Sequence, residues 1–173
     1  MDYPKPNQWQ QSGLPWLWVA LVMLGLDQLT KYLVLQNFSL HQVEAILPVF
    51  NLTYVRNYGA AFSFLHDAGG WQRWFFTALA VGVSLLLSWW LRNQPKALWR
   101  LNLCYALIIG GAIGNLIDRL VHGYVVDFLD FYWGTAHFPA FNVADMAISV
   151  GAGLLILEAF WPQKLPGYQA NQE

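Results

Sequence analysis

Eighteen consecutive positions, Trp74 to Leu91, carry no charged residue at all. A run of that length and polarity has one stable destination, because about 18 apolar residues at about 1.5 Å each cross the hydrocarbon of a bilayer as a helix. Three further runs follow the same rule. The first extends from Leu14 to about Leu35, and the third from Leu101 to Ile117, closed by Asp118 and Arg119. The fourth runs from Val143 to Trp161 and tolerates Asp145 and Glu158 near its ends. No small-residue cleavage site follows the first run, so it reads as a retained span rather than a removable leader. With 57% hydrophobic and 11% charged residues, the chain lacks the charge to cover a soluble surface. The expectation is a single-domain, all-α membrane protein over residues 1–173, with spans at about 14–35, 74–91, 101–119 and 143–161.

Four spans place both termini on one side. Arg92, Lys96 and Arg100 crowd the short loop between spans two and three, and such clusters stay cytoplasmic. The termini then face the cytoplasm. Trp16, Trp18, Trp89, Trp90, Trp99 and Trp161 would mark that interface, and Trp71, Trp74 and Trp133 the outer one. A net charge of -1, with nine Lys and Arg scattered rather than striped, excludes a nucleic-acid partner. Cys104 is the one cysteine, and His41, His66, His122 and His137 lack metal-ligand spacing, so no metal site is expected. The histidines read as ordinary boundary residues.

Outside the spans, Met1 to Gly13 reads as a disordered lead-in, and Val49 to Val55 alternates Phe50, Leu52 and Tyr54 with Asn51 and Thr53 in the period of a strand. Asn57, Tyr58 and Gly59 then form a turn, with Ala60 to Phe64 as a return strand. The second outer loop, Val121 to Phe141, holds a short amphipathic piece near Val125 to Trp133, expected as a short helix.

Under this topology the unusual polar residues converge on the outer ends of the spans: Asp27, Lys31, Arg56, Asn57, Asn115, Asp118, Arg119, Asp127, Asn142 and Asp145. Charges at membrane depth cost at least about 2.5 kcal/mol each on insertion scales, so their clustering demands pairing or function. Asp27 and Lys31, four apart, read as a structural ion pair on one helix face. Gly110 and Gly114 have the spacing that lets helices approach closely. From spacing alone, Asn115, Asp118 and Arg119 serve equally as a hydrogen-bonding shell or as interfacial polar groups. Asp130 reads as a solvated loop carboxylate. Taken alone, Asn142 with Asp145 is a helix N-terminal cap, a role compatible with chemistry because a cap holds the carboxylate while leaving an oxygen free.

Asp127 and Asp145 remain as the candidate reacting groups. Two carboxylates brought close do not both ionise readily, so one keeps its proton while the other acts as base. The charged member would activate water and the protonated member would polarise a carbonyl. Serine and cysteine nucleophiles have no matching partner: Ser63 lacks a base at a recognisable spacing, and Cys104 has no motif around it.

Five blocks now resemble one family. DQLTK at Asp27 to Lys31, NYGAAFS at Asn57 to Ser63, GGAIGNLIDR at Gly110 to Arg119, VVDF at Val125 to Phe128 and FNVAD at Phe141 to Asp145 occur in the order seen in bacterial lipoprotein signal peptidase, also called signal peptidase II. The resemblance implies a four-span aspartyl endopeptidase of the bacterial inner membrane that cuts diacylglyceryl-modified prolipoproteins at the lipobox cysteine on the periplasmic face. It implies Asp127 and Asp145 as the catalytic pair. Asn57, Gly59, Asn115, Arg119, Asn142 and Ala144 would bind substrate or support that pair, with Asp27, Lys31 and Asp118 as structural polar residues. It further implies a small sheet cradle on the membrane, inhibition by globomycin, a monomer among lipids, and no metal or other cofactor. Two other classes compete. A small proton-coupled transporter would use Asp27, Lys31 and Glu158 as a relay, and an assembly factor would bind partner helices through Gly110 and Gly114.

Overall fold

The structure, a computed structural model, describes residues 12–59 and 69–163. Four helices are long and apolar enough to cross a membrane: α1 (Leu17–Asn37), α2 (Trp71–Asn93), α3 (Trp99–Val121) and α4 (Val143–Phe160). A 3-10 turn, Leu14–Trp16, leads into α1. The helices arrange around α3, which packs on the other three. Accordingly 61% of its apolar window is buried inside the protein, against 11–28% for the others. Outward faces carry large apolar side chains, with Leu21 69% and Leu85 67% exposed, the pattern of helices solvated by lipid tails.

Close approach to α3 depends on small residues. A Cβ on Gly110 would lie 2.7 Å from the Ala20 carbonyl of α1, and one on Gly111 would lie 2.3 Å from the Ala144 carbonyl of α4. Gly114 sits against the Asp27 carboxylate and the Ala144 methyl. The glycines therefore serve contacts within the chain and leave no face open to a partner helix, which removes the basis for an assembly factor.

At the end where α1 and α3 finish and α4 starts, a four-stranded antiparallel sheet runs β1 (Val43–Leu47), β2 (Phe50–Asn57), β3 (Val125–Trp133), β4 (Ala136–His137). The expected sheet cradle is present, and only the all-α label is corrected, to a helical bundle capped by a sheet. Val125 to Trp133 is β3, not a short helix. The spacing of Asp127 and Asp130 imitates a helical face, but pairing with β2 across Leu52/Leu129 and Asn57/Val125 sets an extended backbone. Gly123, at φ 85°, provides the left-handed turn after α3 that sends the chain back along β2. The strand expected at Val49 to Val55 is present as β2, whereas the return strand at Ala60 to Phe64 lies outside the described residues. Leu52, Tyr54, Val126 and Phe128 pack on Val34 near the end of α1, fixing the sheet to the bundle.

At the opposite end Ser12 and Gly13, expected as part of a disordered lead-in, are held against the bundle, and residues 1–11 of that lead-in lie outside the described residues. Gly13 donates its N–H toward the carbonyls of Leu91 and Gln94, 2.8 Å each, and Ser12 is buried against Pro95.

Candidate active site

Asp127 projects from the third residue of β3 and Asp145 from the first turn of α4. The Asn142 cap forms as expected, its Oδ1 accepting the Asp145 N–H at 2.9 Å. The other end of the same amide does more. Asn142 Nδ2 donates to Asp127 Oδ1 at 2.6 Å and reaches Asn115 Oδ1 at 3.3 Å, while Asn115 Nδ2 donates to Asp145 Oδ1 at 2.7 Å. Two asparagine amides thereby bridge the two carboxylates. On the far side, Asn57 Nδ2 donates to Asp127 Oδ2 at 2.9 Å and Asn57 Oδ1 accepts the Gly59 N–H at 2.9 Å, closing the expected turn.

Arg119 completes the rim. Its Nη2 donates to the Gly59 carbonyl at 3.1 Å, its Nη1 to the Asn115 carbonyl at 3.2 Å, and its guanidinium lies 5.3 Å from the Phe76 ring centre. Asp127 is 2% exposed. Burial first, and the negative charge of Asp145 second, push its pKa up to about 7, against the pull of the Asn57 and Asn142 amides.

Behind this frame lies a second polar layer. Lys31 is 2% exposed and Asp27 fully buried, and their ion pair closes at 2.8 Å. Lys31 also reaches Asp118 at 2.9 Å and Asn115 Oδ1 at 2.9 Å. Asp118 therefore belongs to a buried network rather than to the interface. Ala144 contributes its N–H, which Asp27 accepts at 2.8 Å, and a methyl small enough to pass Gly114. All eleven sequence-selected residues thus join one hydrogen-bonded and packed unit.

Two apolar grooves meet at Asp145. One, of about 300 Å³, lies between α2 and α4 over α3, lined by Phe76, Leu79, Val83 and Ile148, with Asn115, Arg119 and Asp145 at its polar end. The other, of about 360 Å³, lies between α4 and the segment ahead of it, lined by Phe138, Pro139, Phe141 and Val150. Among the described residues, no three His, Cys, Asp or Glu side chains group in a way that would hold a metal ion.

A match to the family model described as Signal peptidase (SPase) II spans residues 19–161 and contains every one of these side chains. The chain belongs to the signal peptidase II family. It is 66% identical over 161 residues to a lipoprotein signal peptidase of Shewanella loihica, covering 93% of this chain and 95% of the relative. The corresponding figures for the Shewanella pealeana protein are 68% over 155 residues, 90% and 91%. Two solved bacterial membrane enzyme structures, obtained in meso at 2.3 and 1.9 Å resolution, superpose with TM-scores of 0.76 and 0.73. At 27% and 28% identity they cover 88% and 86% of this chain, and 94% of each structure is matched. A multi-pass membrane protein of the signal peptidase II family is the result.

One member of the polar network, Gln28, escaped the sequence reading, and others take roles that it did not give them. Gln28 Nε2 donates to Asp118 Oδ1 at 3.0 Å and to the Gly114 carbonyl at 3.2 Å; its place beside Asp27 in DQLTK was the available signal. Asp130 is not a solvated loop carboxylate. It is buried, accepts from Asn51 Nδ2 at 2.8 Å and pairs with His137 Nδ1 at 2.9 Å, so His137 is more than a boundary residue. Arg56 is braced by Tyr54, whose hydroxyl accepts from Nε at 3.0 Å, and lies 4.8 Å from the Tyr124 ring centre, stiffening the strand end that carries Asn57. Glu158 pairs with Arg100 at 2.9 Å, thirteen residues along α4 from Asp145 and so about 20 Å away. It takes no part in a relay with Asp27 and Lys31.

Proposed function

We propose that this chain is an aspartyl endopeptidase that removes signal peptides from lipidated prolipoproteins, with Asp127 and Asp145 as its catalytic pair. The observation that carries the reading is the amide bridge: Asn142 and Asn115 tie the buried carboxylate of Asp127, on β3, to the half-buried carboxylate of Asp145, on α4, an arrangement that apolar packing would replace if stability were its purpose. Membership of the signal peptidase II family and close relatives named lipoprotein signal peptidase support the substrate class.

The pair shares one proton near neutral pH and titrates as a unit. The ionised carboxylate takes a proton from water as its oxygen attacks the scissile carbonyl, and the protonated carboxyl donates to the carbonyl oxygen. The tetrahedral intermediate collapses with cleavage of the C–N bond: one of its hydroxyls returns a proton to the carboxylate that acted as acid, and the proton gained by the base passes to the departing amine. Arg119 and Asn57 line the approach and orient the extended peptide. The groove between α2 and α4 opens to lipid at the depth of the spans and suits the apolar helix of a signal peptide.

The loop basic residues Arg92, Lys96 and Arg100 support cytoplasmic termini in the bacterial inner membrane, with the sheet and the site at the periplasmic face. A globomycin-sensitive monomer that works among membrane lipids without metal completes the reading. Its test is cleavage of a diacylated precursor by purified Asp127→Asn and Asp145→Asn proteins: both should be inactive while inserted and folded, and full activity in either would refute the pair.

A further inference from the structure

The ammonium of Lys31 has three N–H donors, and each has a fixed acceptor: Asp27 Oδ2 at 2.8 Å, Asp118 Oδ2 at 2.9 Å and Asn115 Oδ1 at 2.9 Å. What those acceptors hold in turn is regular. Asp27 Oδ1 accepts the N–H of Ala144 at 2.8 Å, the residue immediately before Asp145. Asp118 Oδ2 accepts the N–H of Val126 at 3.0 Å, the residue immediately before Asp127. Asn115 passes the third contact directly to Asp145 Oδ1 at 2.7 Å.

We propose that Lys31 is a positioning residue for the aspartate pair: by gripping Asp27 and Asp118 it fixes the backbone immediately ahead of Asp145 and Asp127, and so sets the separation of the two carboxylates. The proposal rests on the aspartyl reading above and adds to it the element, α1, that gauges the pair. Stability alone is a poor account of such a cluster, because a buried ion pair loses in desolvation much of what it gains by attraction and is often replaced by apolar residues without loss. A three-way grip that touches the backbone on each side of a reacting pair has a geometric rationale instead. Displacement by about 1 Å at a catalytic group costs about 100-fold in rate.

The deciding experiment uses the purified full-length chain, a diacylated precursor peptide, and the variants Lys31→Arg and Asp118→Asn. Arginine keeps the positive charge but presents a planar fork that cannot reproduce three ammonium contacts. With its oxygen in the Oδ2 place asparagine still accepts the Val126 N–H, but it withdraws the negative charge that grips the Lys31 ammonium. The expected result is a fall in kcat of about 100-fold with KM within about threefold of the parent. The two limbs of the pH profile of kcat should also move closer together, because carboxylates held farther apart repel less. The overturning result is a parent-like kcat and profile in the folded variants, or activity lost only in proportion to the folded fraction measured by thermal unfolding. Should Lys31→Arg fail to fold, Asp118→Asn decides on the same criteria. Asp127→Asn and Asp145→Asn run alongside: activity in those would undo the aspartyl reading itself, whereas their inactivity beside a parent-like Lys31→Arg would remove only the positioning role.

Discussion

Asp127 is the residue at which chemistry and stability pull in opposite directions. Its carboxyl, raised to about 7 by burial and by Asp145, still holds a proton at pH values where an unfolded aspartate, with an ordinary value of 3.8, has lost it. The folded state therefore binds more protons between those values, and its stability falls as pH rises through them. Thermal unfolding of the parent should show a Tm that declines from about pH 5 to about pH 8, and Asp127→Asn should flatten that decline and melt higher at the alkaline end. Cleavage by the parent should fall as pH climbs well above 7, where the shared proton leaves and both carboxylates are charged. Asn142 is the second sensitive position, since one amide both caps α4 and holds Asp127. Asn142→Ala should lose about 1 kcal/mol of stability as a missing cap, while losing far more activity than that stability change explains, measured as kcat per folded molecule.

Among the elements, α3 is the one whose sequence was easiest to read and whose partners were hardest. Its apolar run, its glycines and its polar end were all visible in Leu101 to Arg119, and so was their clustering with Asp127 and Asp145 at one level of the membrane. That Lys31 would reach Asp118, 87 residues away in sequence, was not visible, because helix spacing reports neighbours within a turn and says nothing about facing helices. β3 was misread for a related reason. Val125, Val126, Asp127 and Phe128 are all buried, so the strand shows no alternation, and its two carboxylates fall at the spacing of a helical face. The tight seams of α3 give a direct forecast at this scale. Gly111→Ala places a methyl 2.3 Å from the Ala144 carbonyl, so it should destabilise by about 1–3 kcal/mol and reduce cleavage by moving the start of α4. Gly153→Ala, whose Cβ would meet nothing within 4 Å, should do neither.

For the whole molecule, the arrangement of four helices with the sheet at one end makes a prediction about sidedness. Cys104 is buried, 1% exposed, so new cysteines can be labelled against a quiet background. Thr135→Cys, beside the β3–β4 turn, should react with an impermeant maleimide in intact cells bearing a permeable outer layer, and Lys96→Cys only after the inner membrane is opened. The reverse pattern would invert the topology. The location of the polar network has a different kind of consequence. Lys31 comes from α1, Asp118 from α3, Asp127 from β3 and Asp145 from α4, the fourth of the described spans to leave the ribosome. Until that span is seated, Asn115 and Asp127 have no Asn142 or Asp145 to meet. On the aspartyl proposal, a chain caught before α4 is made is therefore born inert, and the enzyme acquires its second carboxylate only once that span is seated beside the other three.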